Sequence, residues 1–241
     1  MQGVRGQNKT PGEFRQSQNW IGPPGCTLTT ASFVPPPPED LLEQLGNLEN
    51  YIHQNPEEPD LIQCAFIHGQ FEMIHPFLDG NGRVGRLLIT LFLIERNLLS
   101  LPLLYLSAYF ERNRSEYYER LTHISAKDDW EGWILYFLQG VEEQANRSVK
   151  TANQILALKQ ELEELLKEQA SSGSLLKSLD CLFLQPVINS NRLAAKLEVS
   201  FQTANTLIAK LEELGIIQEI TGQRRNRRYF FPKLVKLIVE S

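Results

Sequence analysis

His75-Pro76-Phe77-Leu78-Asp79-Gly80-Asn81-Gly82-Arg83-Val84-Gly85-Arg86 gathers a base, a hard oxygen donor, a glycine turn and two cations into one short loop. Gly80 and Gly82 lack side chains, so backbone N–H groups can approach an anion. An apolar run without Gly or Pro follows, Leu87 to Ile94, and predicts a buried helix. The glycine turn then opens that helix, where unpaired N–H groups and the dipole favour phosphate. Arg83 and Arg86 share one face of the first turn, and arginine forks suit phosphate oxygens. Asp79 beside this anion site suits Mg2+ bridging a nucleotide's phosphates. His75 closes the preceding apolar segment and can carry a proton near neutral pH.

Two other readings of the stretch fail on context. Gly80 to Gly85 fits G-x-G-x-x-G, but a dinucleotide fingerprint needs a preceding strand and a βαβ unit. The segment before it reads as helix. A P-loop would need Gly-Lys-Ser/Thr, which is missing. A plain polar helix cap would not need a His, an Asp and two Arg together.

At these residues the chain resembles the Fic family, whose signature is His-Pro-Phe-x-(Asp/Glu)-Gly-Asn-Gly-Arg-x-x-Arg. Every fixed position is filled. The resemblance extends over roughly the first 140 residues. It implies a protein adenylyltransferase that moves AMP from ATP to a Tyr, Thr or Ser hydroxyl of a target protein. His75 would be the catalytic base and Asp79 the Mg2+ ligand. Gly80, Asn81 and Gly82 would cradle the phosphates, with Val84 and Gly85 beside them and Arg83 and Arg86 on the outer ones. Phe77 would anchor the loop in the core.

Outward from the signature, Cys26 to Val34 favours extended structure between Pro23-Pro24-Gly25 and the run Pro35 to Pro38. On residues alone this is an edge ribbon or an extended loop. The resemblance makes residues 23–38 a β-hairpin flap, with Thr30, Ala31, Ser32 and Phe33 next to the nucleotide. A protein substrate would dock along the flap by strand addition. The resemblance also places Tyr117 and Tyr118 at the adenosine. Ser125 falls where some relatives have an Asn.

Helical spacing covers Glu39 to His53, then Asp60, read as an N-cap, to about Ile74. His53, His68 and His123 are read as packed or surface residues without chemistry. Trp130, Trp133, Ile134, Phe137 and Leu138 read as core. Residues 140–170 form an acidic helix with an apolar stripe from Val149 to Leu165, either one bridging helix or a helix pair. A dimer seam there stays open, since the stripe covers too few heptads.

After the linker Ala170 to Ser174, the chain reads as a winged helix-turn-helix. Its helices are Ser174–Leu184, Ser190–Leu197 and Phe201–Leu214, with strands at Ile216–Ile220 and Arg228–Phe231. Gln202, Thr203 and Asn205 are the polar residues at the head of the recognition helix. Arg224, Arg225, Arg227 and Arg228 lie in or beside the wing and suit phosphates. Docking of protein by the same module is the alternative.

The expected architecture is mainly α: a Fic core at 1–140, a linker helix at 141–172 and a winged-helix domain at 173–241. Net charge is −5, but unevenly spread. From residue 173 onward there are 10 Lys/Arg against 6 Asp/Glu, leaving 14 basic and 23 acidic residues in the rest. That asymmetry suggests two units with different partners. Cys26, Cys64 and Cys181 are scattered and odd in number, which argues against a disulfide framework or a zinc site and fits the cytoplasm. No apolar run reaches a membrane span.

Gly3-Val4-Arg5-Gly6 and Phe14 to Gly22 resemble the segment ahead of the flap. The helical region that precedes it in the family is expected to be missing. The family's inhibitory pattern, Ser/Thr-x-x-x-Glu-Gly/Asn, is not found, so Arg86 is expected to be free for the γ-phosphate. The competing function is a nucleotide-sensing DNA-binding regulator, or Fic-type transfer of another phosphate-containing group.

Overall fold

The computed structural model describes residues 12–54, 57–168 and 173–239. The expectations placed on Gly3 to Gly6, and on part of the 170–174 linker, lie outside them. The chain divides into two compact units, Met1–Asn146 and Arg147–Ser241.

The first unit is helical. A 3-10 turn at Pro38–Asp40 leads into α1 (Leu41–His53), followed by α2 (Asp60–Ile74), α3 (Asn81–Glu95), α4 (Leu106–Arg112), α5 (Arg114–Lys127) and the start of α6 (Trp130–Glu168). Helix α2 is the centre of this unit. Cys64, Ala65, Ile67, His68, Phe71 and Ile74 are all buried along it, so it is apolar nearly all round, as a helix enclosed by others must be. Asp60 is its first helical residue and Pro59 its N-cap, so Asp60 favours the helix through its charge near the positive end of the dipole. Trp133 from α6 reaches α2 through its indole N–H, which donates to the Ala65 carbonyl at 2.8 Å. His68 stacks on Phe110 with ring centroids 5.5 Å apart, in keeping with a packed role.

His75 terminates α2 in a left-handed conformation, φ 50°. The following Pro76 disfavours helical backbone at this position. Gly80 opens α3 at φ 92°, a conformation in which glycine pays no Cβ penalty.

The second unit has its own core, in which Leu158, Leu162 and Leu166 of α6 pack with α7 (Gly173–Leu184), α8 (Ser190–Leu197) and α9 (Phe201–Glu213). Helix α6 is continuous over its 39 residues, which decides for one helix over a pair. Asn189 caps α8 by accepting from Arg192 N–H, and Ser200 caps α9 by accepting from Thr203 N–H. Both are residue types that favour this position. The expected strands shorten to β2 (Gln218–Glu219) and β3 (Tyr229–Phe230). Two elements went unforeseen: β1 (Val187–Ile188) and α10 (Pro232–Val239). The sheet is antiparallel in the order β1-β3-β2, with Phe230 opposite both Val187 and Gln218.

Among the described residues no helix is long and apolar enough to cross a membrane.

Candidate active site

The α2–α3 loop is tied down by its own residues and by a strap from residues 14–19. Asn81 Oδ1 accepts from the Phe77 N–H at 2.8 Å, and Asn81 Nδ2 donates to the Phe77 carbonyl at 2.7 Å. Asn19 donates to the same carbonyl at 3.2 Å. Arg15 is 2% exposed. It donates from Nε to the His75 carbonyl at 3.0 Å and from its main-chain N–H to the Pro76 carbonyl at 2.9 Å. Phe14 and Phe77 pack with ring centroids 5.6 Å apart. Arg15 satisfies carbonyls left over at the end of α2, which a helix terminus always has to spare.

At the start of α3, the N–H groups of Arg83 and Val84 already donate to the Gly80 carbonyl. Among the described residues the N–H groups of Asn81 and Gly82 donate to no main-chain acceptor, which leaves them the kind of donors that can take an anion at a helix N-terminus. Asp79 and Arg83 form an ion pair at 3.6 Å, both more than a third exposed. Solvent screens such a pair, so a bound anion or cation can separate it at small cost.

His75 Nδ1 lies 3.2 Å from the Glu72 carbonyl oxygen. A carbonyl can only accept, so the proton of the neutral ring sits on Nδ1 and Nε2 carries the lone pair. Burial lowers the His75 pKa to about 4, with the bond to Glu72 opposing and Arg15 adding to the shift. The imidazole is neutral, and able to accept a proton, throughout the physiological range.

Two adjoining recesses meet at this loop. The first, about 520 Å³, is lined by His75, Gly82, Arg86, Tyr117 and Tyr118, with Ser32 and Phe33 from the flap segment. The second, about 880 Å³, is lined by Asp79, Gly80, Asn81, Gly82 and Arg83 and shares His75, Arg86, Tyr117 and Tyr118. The first is the more enclosed and apolar, while the second carries the glycine turn and the charges.

Other expected residues stand elsewhere. Thr30 Oγ1 accepts from the Thr27 N–H at 2.9 Å within a turn of its own. Ala31 is half-buried but borders neither recess. Val84 packs on the first core. Gly85 is buried against Glu72 and His68. Ser125 is exposed, and its hydroxyl donates to the Thr122 carbonyl at 3.0 Å.

The flap is slighter than a hairpin. One antiparallel bridge, Ile21 with Phe33, closes it. The prolines on either side lack N–H donors, and the turns at Pro23–Cys26 and Thr27–Thr30 use main-chain bonds locally, so a longer ladder cannot form.

Sequence reasoning missed several lining residues. Glu72 and Met73 lie less than a turn before His75, and Leu121 and Thr122 lie one turn after Tyr117 and Tyr118. Projecting the known residues one helical turn in each direction would have found all of these but Met73, which stands two residues before His75. Arg114, whose guanidinium lies 5.7 Å from the Tyr118 ring centroid, is the same case.

Among the described residues no group of three or more His, Cys, Asp or Glu could hold a metal. A Mg2+ ion held through one carboxylate and substrate phosphates needs no such cage, and Asp79 beside the glycine turn fits that mode.

Residues 1–93 match the Fic/DOC family. A probable protein adenylyltransferase of Aquifex aeolicus is 38% identical over 92 residues, 38% of this chain and 26% of that one. The protein adenylyltransferase fic-1 of Caenorhabditis briggsae is 29% identical over 142 residues, 57% of this chain and 24% of that one. A Fic family protein of Desulfovibrio desulfuricans G20 shares the fold, with a TM-score of 0.53 and 21% identity over 91% of this chain and 62% of that one. The family match is to the first 93 residues, which include the loop from His75 to Arg86. The chain spans about a quarter of the length of the curated relatives it matches.

Proposed function

We propose that this chain is a protein adenylyltransferase using ATP and Mg2+. The observation that carries the reading is the tautomer of His75, fixed by the Glu72 carbonyl, in a cavity that also holds the glycine turn and Arg86. A target hydroxyl, from Tyr, Thr or Ser, loses its proton to His75 Nε2. Its oxygen forms a bond to the α-phosphorus of ATP, the bond from that phosphorus to the bridging oxygen breaks, and pyrophosphate leaves. Asp79 would hold Mg2+, which supplies charge neutralisation. The Asn81 and Gly82 N–H groups take phosphate oxygens, and Arg83 and Arg86 take the outer charge. Catalysis of this kind rests on positioning and electrostatics. Ser32 and Phe33 put the flap beside the reacting groups, so a protein substrate would enter along it. The scattered thiols favour the cytoplasm, and a homodimer is compatible with this reading.

For the second unit we propose a winged helix that binds DNA. Arg224, Arg225 and Arg227 line a recess of about 480 Å³ with Asn205 and Asn191, and Gln202, Thr203 and Asn205 are exposed at the head of α9. The corresponding division is a Fic core, a linker helix and the winged domain. A nucleotide-sensing DNA-binding regulator is the second reading.

The test is radiolabelled ATP with Mg2+ and cell lysate, beside mass spectrometry of the protein itself for a mass added by self-modification. AMP on a protein band or on the chain, lost on His75→Ala by about 10²–10⁴-fold in rate while ATP binding persists, supports the transferase. Labelled ATP that binds without transfer, together with salt-sensitive DNA binding, favours the regulator.

A further inference from the structure

Glu72 stands one turn before His75 on α2 and is 8% exposed. Its Oε1 atom is shut off from solvent and meets no hydrogen-bond donor among the described residues. Two glycines of α3 make room for it. A Cβ at Gly85 would lie 2.5 Å from Oε1, and one at Gly82 would lie 3.8 Å from Oε1 and 3.0 Å from Arg86 Nη1. The carboxyl therefore sits under the glycine turn, beside Arg86, and borders the cavity that holds His75.

We propose that Glu72 is the proton-linked determinant of phosphate binding in this cavity: nucleotide binds when the carboxyl carries a proton and is expelled when it ionises. The proposal rests on the nucleotide-binding reading above. Ionised, Glu72 repels a polyanion and draws on the charge of Arg86. Protonated, it leaves Arg86 to the ligand and offers an O–H. An interior carboxyl without donors holds its proton for the same reason that an isolated buried charge is costly.

The other groups that face Glu72 do not compete for this role. On α2, burial lowers His68 to about 3 and His75 to about 4. On α5, burial raises the Tyr117 phenol well above its ordinary value. On α3, Arg86 is the facing cation and draws the Glu72 pKa down, while burial outweighs it and lifts Glu72 to about 7. A bound polyanion raises proton affinity further, so binding takes up a proton. As pH rises above about 7, the protonated fraction of the free protein falls about tenfold per unit, and apparent affinity falls with it.

The experiment is calorimetric titration of the full chain with ATP and Mg2+, from about pH 6 to about pH 9, in two buffers of different ionisation enthalpy. Wild type is compared with Glu72→Gln, which keeps the shape and a donor but cannot ionise. The terminal phosphate of ATP titrates equally in both and cancels in the difference. Wild type should take up more protons than the variant just above neutrality and lose about tenfold in affinity per unit above that. Glu72→Gln should stay flatter and bind tighter at the alkaline end by about tenfold or more. Superimposable pH profiles with equal proton uptake overturn the proposal alone, and failure of both proteins to bind at any pH overturns it together with the nucleotide reading. Should the variant not fold, carbon-13 carboxyl shifts of wild type decide. A Glu72 resonance that titrates in the ordinary glutamate range, with and without ATP, overturns the proposal. A resonance that titrates near neutrality and moves higher with ATP supports it.

Discussion

His75 and Glu72 are joined on α2 by a 3.2 Å contact from the imidazole Nδ1 to the main-chain oxygen one turn earlier. The contact settles which nitrogen is bare, and burial settles when it is bare. Because the His75 pKa is lowered to about 4, transfer at saturating ATP should hold level from neutrality down to about pH 5 and fall about tenfold per unit only below its pKa. Initial rates of self-modification against pH measure this. A midpoint at the ordinary histidine value would mean a solvated ring and would remove the tautomer argument.

His68 gives the fold an acid limit. Burial lowers its pKa from 6.5 to about 3, so the unfolded chain binds a proton that the folded chain refuses between those values. Stability is full above about 6.5 and declines as pH falls toward 3, by about 1.4 kcal/mol per unit for one such group. His68→Phe should keep the stack on Phe110 but leave the Tyr117 hydroxyl unpaired. It should cost about 1–3 kcal/mol at neutral pH and flatten the acid decline. Urea unfolding at several pH values separates the two effects.

Asn81 holds the loop, on the hydrogen bonds it makes to Phe77. Asn81→Ala strands the Phe77 N–H, while the Phe77 carbonyl keeps its bond from Asn19, and should destabilise the first unit by about 1–3 kcal/mol. Asn81→Asp keeps the acceptor and loses the donor, and should fall between. Melting temperatures of the three proteins rank them, and an unchanged Asn81→Ala would show that the loop holds without this staple.

Gly85 and Glu72 should prove coupled. The Cβ of Gly85→Ala falls 2.5 Å from Glu72 Oε1 and 3.1 Å from the His68 ring, and overpacking of this kind costs about 1–3 kcal/mol. In Glu72→Ala the slot is vacant, so adding Gly85→Ala should cost less there than in wild type. A double-mutant cycle by urea unfolding reads the coupling, expected at about 0.5–3 kcal/mol. Additive costs would place the clash elsewhere.

In the second unit, Arg224→Ala with Arg225→Ala should lower affinity for duplex DNA and shallow its salt dependence by about 1.8 in the log–log slope if each arginine meets one phosphate. Transfer to a free acceptor should not change. Fluorescence anisotropy over a salt series measures the slope. No salt-sensitive binding by the parent chain would return this unit to protein docking.

How much was legible beforehand follows from the range of each interaction. The loop from His75 to Arg86 declares itself because glycine, proline and charge are local signals. The Arg15 strap did not, since its carbonyl partners lie about 60 residues along the chain and no periodicity encodes such a pairing. Glu72 was hidden differently. A charged residue in an apolar helix looks like its solvent face, and only the packing of α3 shows that two glycines enclose it. The flap was over-read, because extended propensity in Cys26 to Val34 says nothing of how many donors the prolines withhold.

The single bridge of the flap separates inheritance of chemistry from inheritance of preference. The strap at residues 14–19 and Asn81 fix the reacting loop, while the stretch between Ile21 and Phe33 answers to no sheet and little core. Substitutions or insertions at its tip should leave the α2–α3 loop undisturbed. If the proposed function holds, sequence change at the tip would alter what the cavity admits while the α2–α3 loop keeps its geometry.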